Sequence, residues 1–335
     1  MGAVIRLVQL QSTSGDRRTG LVQDESIRLI GGCRSIHELA LRAIRLQIPV
    51  EAVTSSLLTG VSINYDEVYA LESEWRLAPP LTHPDDPARC LVSGTGLTHK
   101  TSAMSRQAMH AKPDEWSDSM KMYQRGVEGG RPAPGEIGAE PEWFYKGCGT
   151  ILRAHGEPLS VPPFALDGGE EPEIVGAYVI DDSGRPWRVG FTVGNEFSDH
   201  RLEKQNYLYL AHSKLRTCSI GPELAVGAAF DDVRGTVTIN RAGNTVWSKG
   251  LASGEANMCH SLANLEHHHF KYGAHRRPGD AHIHFFGASA FSFGEGVTLQ
   301  DGDDMVVEFE GLGRPLRNPL RVESSPLELV GVRQA

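Results

Sequence analysis

The sequence predicts a β-rich α+β fold: a mixed-β roll or sandwich with a smaller α/β domain at its N-terminus. Three observations carry this expectation. From residue 143 onward, alternating or wholly apolar runs recur with few helical patterns between them: EIVGAYVI, WRVGFTVGNE, GTVTINRAGNTVW, AHIHFF and DMVVEFEG. A clear helical period, SIHELALRAIRLQIP, lies near the N-terminus. The proline-rich WRLAPPLTHPDDPARC separates these regions, so the expected division is residues 1–88 and 89–335.

In chain order, IRLVQLQ and SIRLIGG read as a hairpin around the polar STSGDRRTG. The helix that follows has Ser35 as its N-cap and Pro49 as its stop. Residues 101–125 have helical spacing, with Met104, Ala108 and Met109 on one stripe. GVEGGRPAPGEIGAEPEW reads as a long loop, hence a mobile lid or disordered. Among the later strands RAGN turns one hairpin, and one helix, His200 to His212, interrupts them, with Ser198 or Asp199 at its start. No period of 20 to 50 residues repeats.

Composition narrows the function classes. A net charge of −9 supplies no basic stripe for a phosphate backbone, which argues against a nucleic-acid partner. No run approaches the roughly 18 apolar residues of a membrane span. MGAVIRLVQLQ has no signal-peptide pattern, and the 5 cysteines are odd in number and form no CxxC pair. A reducing, cytoplasmic setting is expected. Cys148 and Cys218 read as small buried residues without the partners of a thiol nucleophile. No G-x-G-x-x-G or Walker sequence occurs.

The chemistry is expected at carboxylates. Glu171 and Glu173 stand two apart at the start of a strand, so both point to one face, and the residues beyond them are apolar on both faces. Glu196 ends a second apolar strand. Acidic groups at the mouths of buried strands repel one another unless a cation lies between them. Oxygen ligands of this kind suit Mg²⁺, with Mn²⁺ or Ca²⁺ as alternatives. The same spacing also suits solvated strand ends, or pairing with Arg185, Arg188 or Lys214.

The surrounding residues resemble the fumarylacetoacetate hydrolase (FAH) superfamily. EPEIVGAYVI, VGFTVGNEFSDH, SKLRTCSIGP, PGDAHIHFFGAS and LQDGDDMVVEFEGLGRPLRNPL follow that family's blocks in order, over about Phe144 to Leu320. The resemblance implies an FAH-like catalytic domain, a homodimer and a small 2-keto acid substrate. It makes Glu171, Glu173 and Glu196 the metal ligands, although the family usually has Asp where this chain has Glu196. Lys146 and Lys214 match family lysines beside metal and substrate.

Many FAH-type hydrolases place a water-activating histidine in a Gly-x-Asn-Tyr-x-x-His stretch. Here the matching GLTHKTS puts Ser102 at that position. This form, with FYKG, EPE and SKLRTCSIGP, looks more like the branch that dehydrates 2-keto-3-deoxy sugar acids, converting a 2-keto-3-deoxypentonate to 2-oxoglutarate semialdehyde. The alternative is a hydrolase cleaving a C–C bond of an acylpyruvate or 2,4-diketo acid. A third reading is a ligand-binding protein on a retired catalytic scaffold. For the dehydratase, Lys214, Lys146 and Ser102 are the catalytic candidates, and Thr98, His99 and Ser289 are candidates to hold the substrate.

Other signals have plainer readings. His282 and His284, two apart on a strand, read as structural or pocket-lining rather than as a cupin-like metal pair. His267, His268 and His269 read as a solvated helix end. Asn257 to Leu265 and the Arg276–Arg277 pair read as surface or dimer contacts.

Overall fold

PEIVGAYVI forms a 9-residue strand buried along its whole length, because it divides two cores. Val175, Ala177 and Val179 face one core with Leu39 and Ile283. Ile174, Tyr178 and Ile180 face the other with Val237 and Val307. A strand apolar on both faces is what a layer between two cores requires. The computed structural model describes residues 4–110 and 115–335.

The N-terminal region holds β1 (Ile5–Ser12), β2 (Arg17–Gln23), β3 (Ser26–Ile30), α1 (Ile36–Leu46), α2 (Val50–Leu57), β4 (Leu58–Asn64), α3 (Tyr65–Tyr69) and β5 (Trp75–Ala78). Then come β6 (Cys90–Gly96), α4 (Lys100–His110), α5 (Asp118–Gly129), β7 (Glu142–Cys148), β8 (Leu152–Arg153), β9 (Leu159–Val161), β10 (Pro172–Ile180) and β11 (Pro186–Asn195). The chain continues through α6 (His200–Gln205), α7 (Leu210–Lys214), β12 (Cys218–Ile220), β13 (Leu224–Val226), β14 (Val233–Arg241) and β15 (Asn244–Ser253). It closes with α8 (Leu262–Phe270), β16 (Ala281–Phe285), β17 (Asp304–Phe309) and β18 (Leu316–Val322).

A 13-stranded sheet runs β4-β3-β2-β1-β13-β11-β10-β16-β6-β7, with β5 on β1 and β12 bridging β11 to β8. A 5-stranded sheet, β15-β14-β17-β18-β9, packs beside it. The α+β, β-rich reading holds. Because Leu7 of β1 pairs with Leu224 of β13, the large sheet runs through both halves of the expected division.

Several local expectations change. The N-terminal hairpin is a three-strand meander: RRTG, read as turn, is itself strand, the first turn narrows to residues 13–16, and a second falls at Asp24 with its positive φ of 51°. Ser35 does cap α1, accepting from the Glu38 amide, but the helix ends at Gln47 in a left-handed conformation before Pro49 is reached. On α4 the buried positions are Ala103 and Arg106, while Met104 and Ala108 are exposed. The Gly/Pro/Glu loop is shorter than expected, because α5 extends to Gly129, and it is pinned. Asn264 accepts from the Gly138 amide at 3.0 Å and donates to the Ala139 carbonyl at 2.8 Å.

The helix expected from His200 to His212 is two short helices, α6 and α7, joined by a turn at Tyr207–Tyr209. Asp199 caps the first by accepting from the Leu202 amide. Asn257 to Leu265 is not a surface patch: it leads into α8, whose Leu262 and Leu265 join the second core. All five cysteines are free; Cys218 is buried, whereas Cys148 is half-buried against Thr150.

Candidate active site and metal centre

β10 and β11 pair antiparallel with Pro172 opposite Asn195, so the start of one strand meets the end of the other. The Asn195 side chain fixes that junction by accepting from the amides of Glu171 and Phe197 at 3.1 and 3.2 Å. Glu171, Glu173 and Glu196 converge as a result. One carboxylate oxygen from each lies within 4.8 Å of the others. Glu196, with the longer arm than the family's usual Asp, reaches the cluster.

Two lysines enter from other elements. β7 alternates, turning Phe144 and Lys146 inward and Trp143 and Tyr145 outward. Lys146 pairs with a Glu196 carboxylate oxygen and donates to the Glu196 and Phe197 carbonyls at 2.8 and 3.1 Å. Lys214, at the end of α7, donates to Glu171 Oε1 at 2.7 Å, Glu196 Oε2 at 2.6 Å and Ser198 Oγ at 2.9 Å. Glu203 lies 3.4 Å from the same ammonium. Arg106 of α4 then bridges Glu142 at 2.9 Å and Glu203 at 3.3 Å.

Burial and charge sort these groups. Burial, with Glu196 and Glu171 as neighbours, pushes the Glu173 carboxyl well above the ordinary range. Burial likewise raises Glu196, to about 7, against the pull of Lys146 and Lys214. Burial opposes ionisation of Glu171 too, but Lys214 and His200 outweigh it and hold that group low. For Lys214 burial favours the neutral amine, yet Glu171, Glu196 and Glu203 reverse this and hold it above the usual lysine range.

The donor set fits a hard divalent cation. Glu173 accepts from the Gly287 amide at 2.6 Å, and among the described residues no ion pair reaches it. A buried carboxylate without a cation, beside two more, is the arrangement that Mg²⁺, Mn²⁺ or Ca²⁺ relieves. Gly287 is needed there: its φ is +99°, and a Cβ would meet Thr98 Oγ1 at 2.1 Å.

The expected site residues divide. The cavity in front of the carboxylates is lined by Glu171, Glu173, Lys214, Ser102, His200 and Phe291, among others. Lys146 lies behind Glu196, away from the cavity wall, where its charge offsets that carboxylate. Ser102 donates its hydroxyl to the His99 carbonyl at 2.8 Å, as a residue in the first turn of a helix commonly does. Thr98 is buried and donates to the Phe286 carbonyl at 2.6 Å. His99 and Ser289 line a second cavity, on the other side of the first turn of α4. Arg185 and Arg188 are not the glutamates' partners; Arg188 pairs with Glu266.

Sequence reasoning missed His200, Glu203, Arg106 and Phe144. His200 Nε2 donates to Glu171 Oε1 over 2.9 Å, and its ring stacks on Phe291 with centroids 5.1 Å apart. It stood inside the quoted block VGNEFSDH, so its position was a readable signal. Glu203 and Arg106 carried none, because each is recruited across elements distant in sequence.

The histidines behave differently from the expected solvated helix end. His269 is buried, its ring centroid 5.0 Å from His282, 4.5 Å from His284 and 4.8 Å from His275. His282 and His284 are structural, as the plainer reading had it.

Comparisons with known proteins follow the same line. No family model matches the chain. It is 26% identical over 228 residues, 66% of this chain and 69% of the relative, to a Haloferax volcanii protein described as "Probable 2-keto-3-deoxyxylonate dehydratase". It is 28% identical over 144 residues, 42% of each chain, to the 2-dehydro-3-deoxy-D-arabinonate dehydratase of Saccharolobus solfataricus. Among solved structures, 2-keto-3-deoxy-D-arabinonate dehydratase complexed with magnesium and 2,5-dioxopentanoate superposes with a TM-score of 0.70 at 20% identity, covering 96% of this chain and 100% of that one. The 2-hydroxyhepta-2,4-diene-1,7-dioate isomerase of Mycobacterium marinum gives 0.58 at 16% identity, covering 96% and 100%. The FAH-superfamily fold expected from the motifs is borne out. Among the described residues no helix is long and apolar enough to cross a membrane.

Proposed function

We propose that this chain, which has the fold of the FAH superfamily, is a metal-dependent hydro-lyase acting on a 2-keto-3-deoxy sugar acid. The pentonate is the substrate we favour, with 2-oxoglutarate semialdehyde as product, Mg²⁺ as the metal and a homodimer as the assembly. The observation that carries the reading is a carboxylate triad and a buried lysine facing a cavity whose α4 wall presents Ser102 where a hydrolase has its water-activating histidine. Similarity to two sugar-acid dehydratases supports the same class.

Glu171, Glu173 and Glu196 would hold the ion. An ion held there would supply a Lewis acid for the keto carbonyl and would offset the carboxylate charge that keeps Lys214 protonated. Lys214, a residue of the cavity wall, would then remove a proton from C3 as a neutral amine. The C4 hydroxyl departs, and the ammonium returns the proton to it, so one water leaves, Lys214 ends as it began, and a 5-hydroxy-2-keto acid with a C3–C4 double bond remains. Transfer of a proton from C5 to C3 and of the hydroxyl proton from O5 to C4 then gives the aldehyde with no further reagent. Lys146 keeps Glu196 in place from behind, and His200 orients Glu171. Phe144, under the Lys214 ammonium at 4.9 Å, and Phe291 keep bulk water off the exchanged proton.

The test is direct. Incubation with Mg²⁺ and a 2-keto-3-deoxypentonate should release an aldehyde, and a chelator should stop it. Pyruvate plus a second acid, formed from an acylpyruvate, would instead establish the hydrolase. Tight binding without turnover of either would establish the retired scaffold.

A further inference from the structure

Glu170 stands one residue before the carboxylate triad and outside it. Its side chain is wholly buried, and among the described residues no ion pair reaches it. It accepts instead from one residue, 122 positions away in sequence. The Ser292 amide donates to Oε1 at 2.5 Å and the Ser292 hydroxyl to Oε2 at 2.8 Å. Both oxygens of a buried carboxylate, taken up by a single serine, make a two-point clip.

The clip completes a seam between residues 286–292 and the start of β10. The Phe286 amide donates to the Ile174 carbonyl at 3.2 Å, the Gly287 amide to Glu173 at 2.6 Å, and Ser292 to Glu170. Ser292 opens the turn Ser292–Glu295. The phenylalanines on either side of it, Phe291 and Phe293, both meet His200, each with its ring centroid 5.1 Å from the imidazole. Gly169 borders the same ring, for a Cβ there would lie 2.3 Å from His200 Nδ1. That Nδ1 is buried without a partner among the described residues, so packing and the Nε2 bond alone set the ring's tilt. Nε2 donates to Glu171 Oε1 at 2.9 Å, and Lys214 donates to the same oxygen at 2.7 Å. Both lone pairs of Oε1 are thereby engaged, which holds the Glu171 carboxylate against rotation.

We propose that Glu170 and Ser292 are positioning residues for the metal centre: their clip holds Phe291 and Phe293 on His200, and so fixes Glu171 for the cation. The proposal rests on the carboxylate-triad reading and adds two residues that act on the ion only through others. Hydrogen bonding, not charge, does the holding. A glutamine at position 170 still accepts from the Ser292 amide through Oε1 and can donate to the Ser292 hydroxyl through Nε2. An alanine at 170 removes both bonds, and an alanine at 292 removes only the one from the hydroxyl.

The experiment titrates Mg²⁺ alone into metal-free protein by calorimetry, well below each variant's melting temperature. In parallel, NMR of protein labelled with ¹⁵N-histidine follows the proton on His200 Nε2, its signal assigned by its loss in His200→Gln. Glu170→Ala should weaken Mg²⁺ binding about tenfold and Ser292→Ala about threefold, while Glu170→Gln stays near wild type. The His200 proton should exchange with solvent faster in both alanine variants than in wild type. An unchanged Mg²⁺ affinity or an unchanged His200 signal in Glu170→Ala overturns the proposal; should that variant not fold, Ser292→Ala decides by the same two readouts. Glu170→Gln as weak as Glu170→Ala also overturns it, because charge would then be the cause. A wild-type protein that takes up no Mg²⁺ removes the metal reading instead, and the His200 signal still decides whether the clip holds the ring.

Discussion

Two buried polar clusters sit in this fold, and they solve burial in opposite ways. The carboxylate–lysine cluster is charged, with Glu171, Glu173, Glu196 and Glu203 set against Lys146, Lys214 and Arg106. The histidine cluster under β16 is neutral. Trp143 Nε1 can only donate, so at 3.2 Å His269 Nδ1 accepts; His269 Nε2 then carries the hydrogen and donates to His282 Nδ1 at 3.0 Å. His284 is satisfied by Ser93 at 2.9 Å and Thr95 at 2.7 Å. The neutral chain leaves one group open, the buried His282 Nε2, whereas the charged cluster leaves Glu173 without a cation. Crowded buried carboxyls without a cation mark the candidate site, and neutral hydrogen-bonded polarity marks scaffolding.

The largest effect that tests this contrast is on the charged side. Lys214→Met should lower turnover by about 10²–10⁴-fold, read as aldehyde release. Full retention would strip Lys214 of its role. Next, Gly287→Ala should destabilise the protein by about 1–3 kcal/mol from backbone conformation alone, before the clash with Thr98 is counted, and should weaken Mg²⁺ binding by displacing the amide that holds Glu173. A melting temperature and metal affinity equal to wild type would contradict that assignment.

The two clusters should also respond oppositely to pH. Burial lowers His282 and His284 to about 3 and holds His269 well below its ordinary value. Unfolded histidines take up protons near 6.5, so the unfolded chain binds more protons below that pH. Stability is full above about 6.5 and falls as pH drops toward 3, by about 1.4 kcal/mol per pH unit for each histidine. Glu196, raised to about 7, has the opposite sign in metal-free protein: its folded form holds the extra proton, so stability falls as pH rises toward 7. Urea midpoints from pH 4.5 to 7.5, with and without Mg²⁺, separate the two. Metal should remove the second slope and leave the first. A histidine slope that vanished with metal would merge the clusters into one system.

The smallest effect lies at the loop that α8 holds in place. Asn264→Ala should cost about 1–3 kcal/mol through the lost bonds to Gly138 and Ala139, with Mg²⁺ affinity at its wild-type value. A change in metal affinity would show that the loop supports the charged cluster.

Much of the strand pattern was legible because burial on two faces writes itself into local composition, as in EIVGAYVI and WRVGFTVGNE. The convergence of the three carboxylates was legible for a related reason, since carboxylates at the ends of such strands are locally anomalous. Elements held by partners distant in sequence were not. His269 looked like one of three solvated histidines until Trp143 and His282 closed around it, and Met104 and Ala108 looked like a buried stripe although α4 turns Ala103 and Arg106 inward.

By itself, then, the sequence determined the β-rich class, the cap of α1 by Ser35, the hairpin at RAGN and the acids that converge, because each follows from periodicity or from one residue's own chemistry. Tertiary structure alone decided that Lys146 stands behind Glu196 while Lys214 lines the cavity, that His99 and Ser289 line a different cavity from Ser102, and that His269, His282 and His284 share one buried cluster. Those outcomes depend on which elements pack together across long stretches of chain, and burial and pairing of that kind leave no local trace.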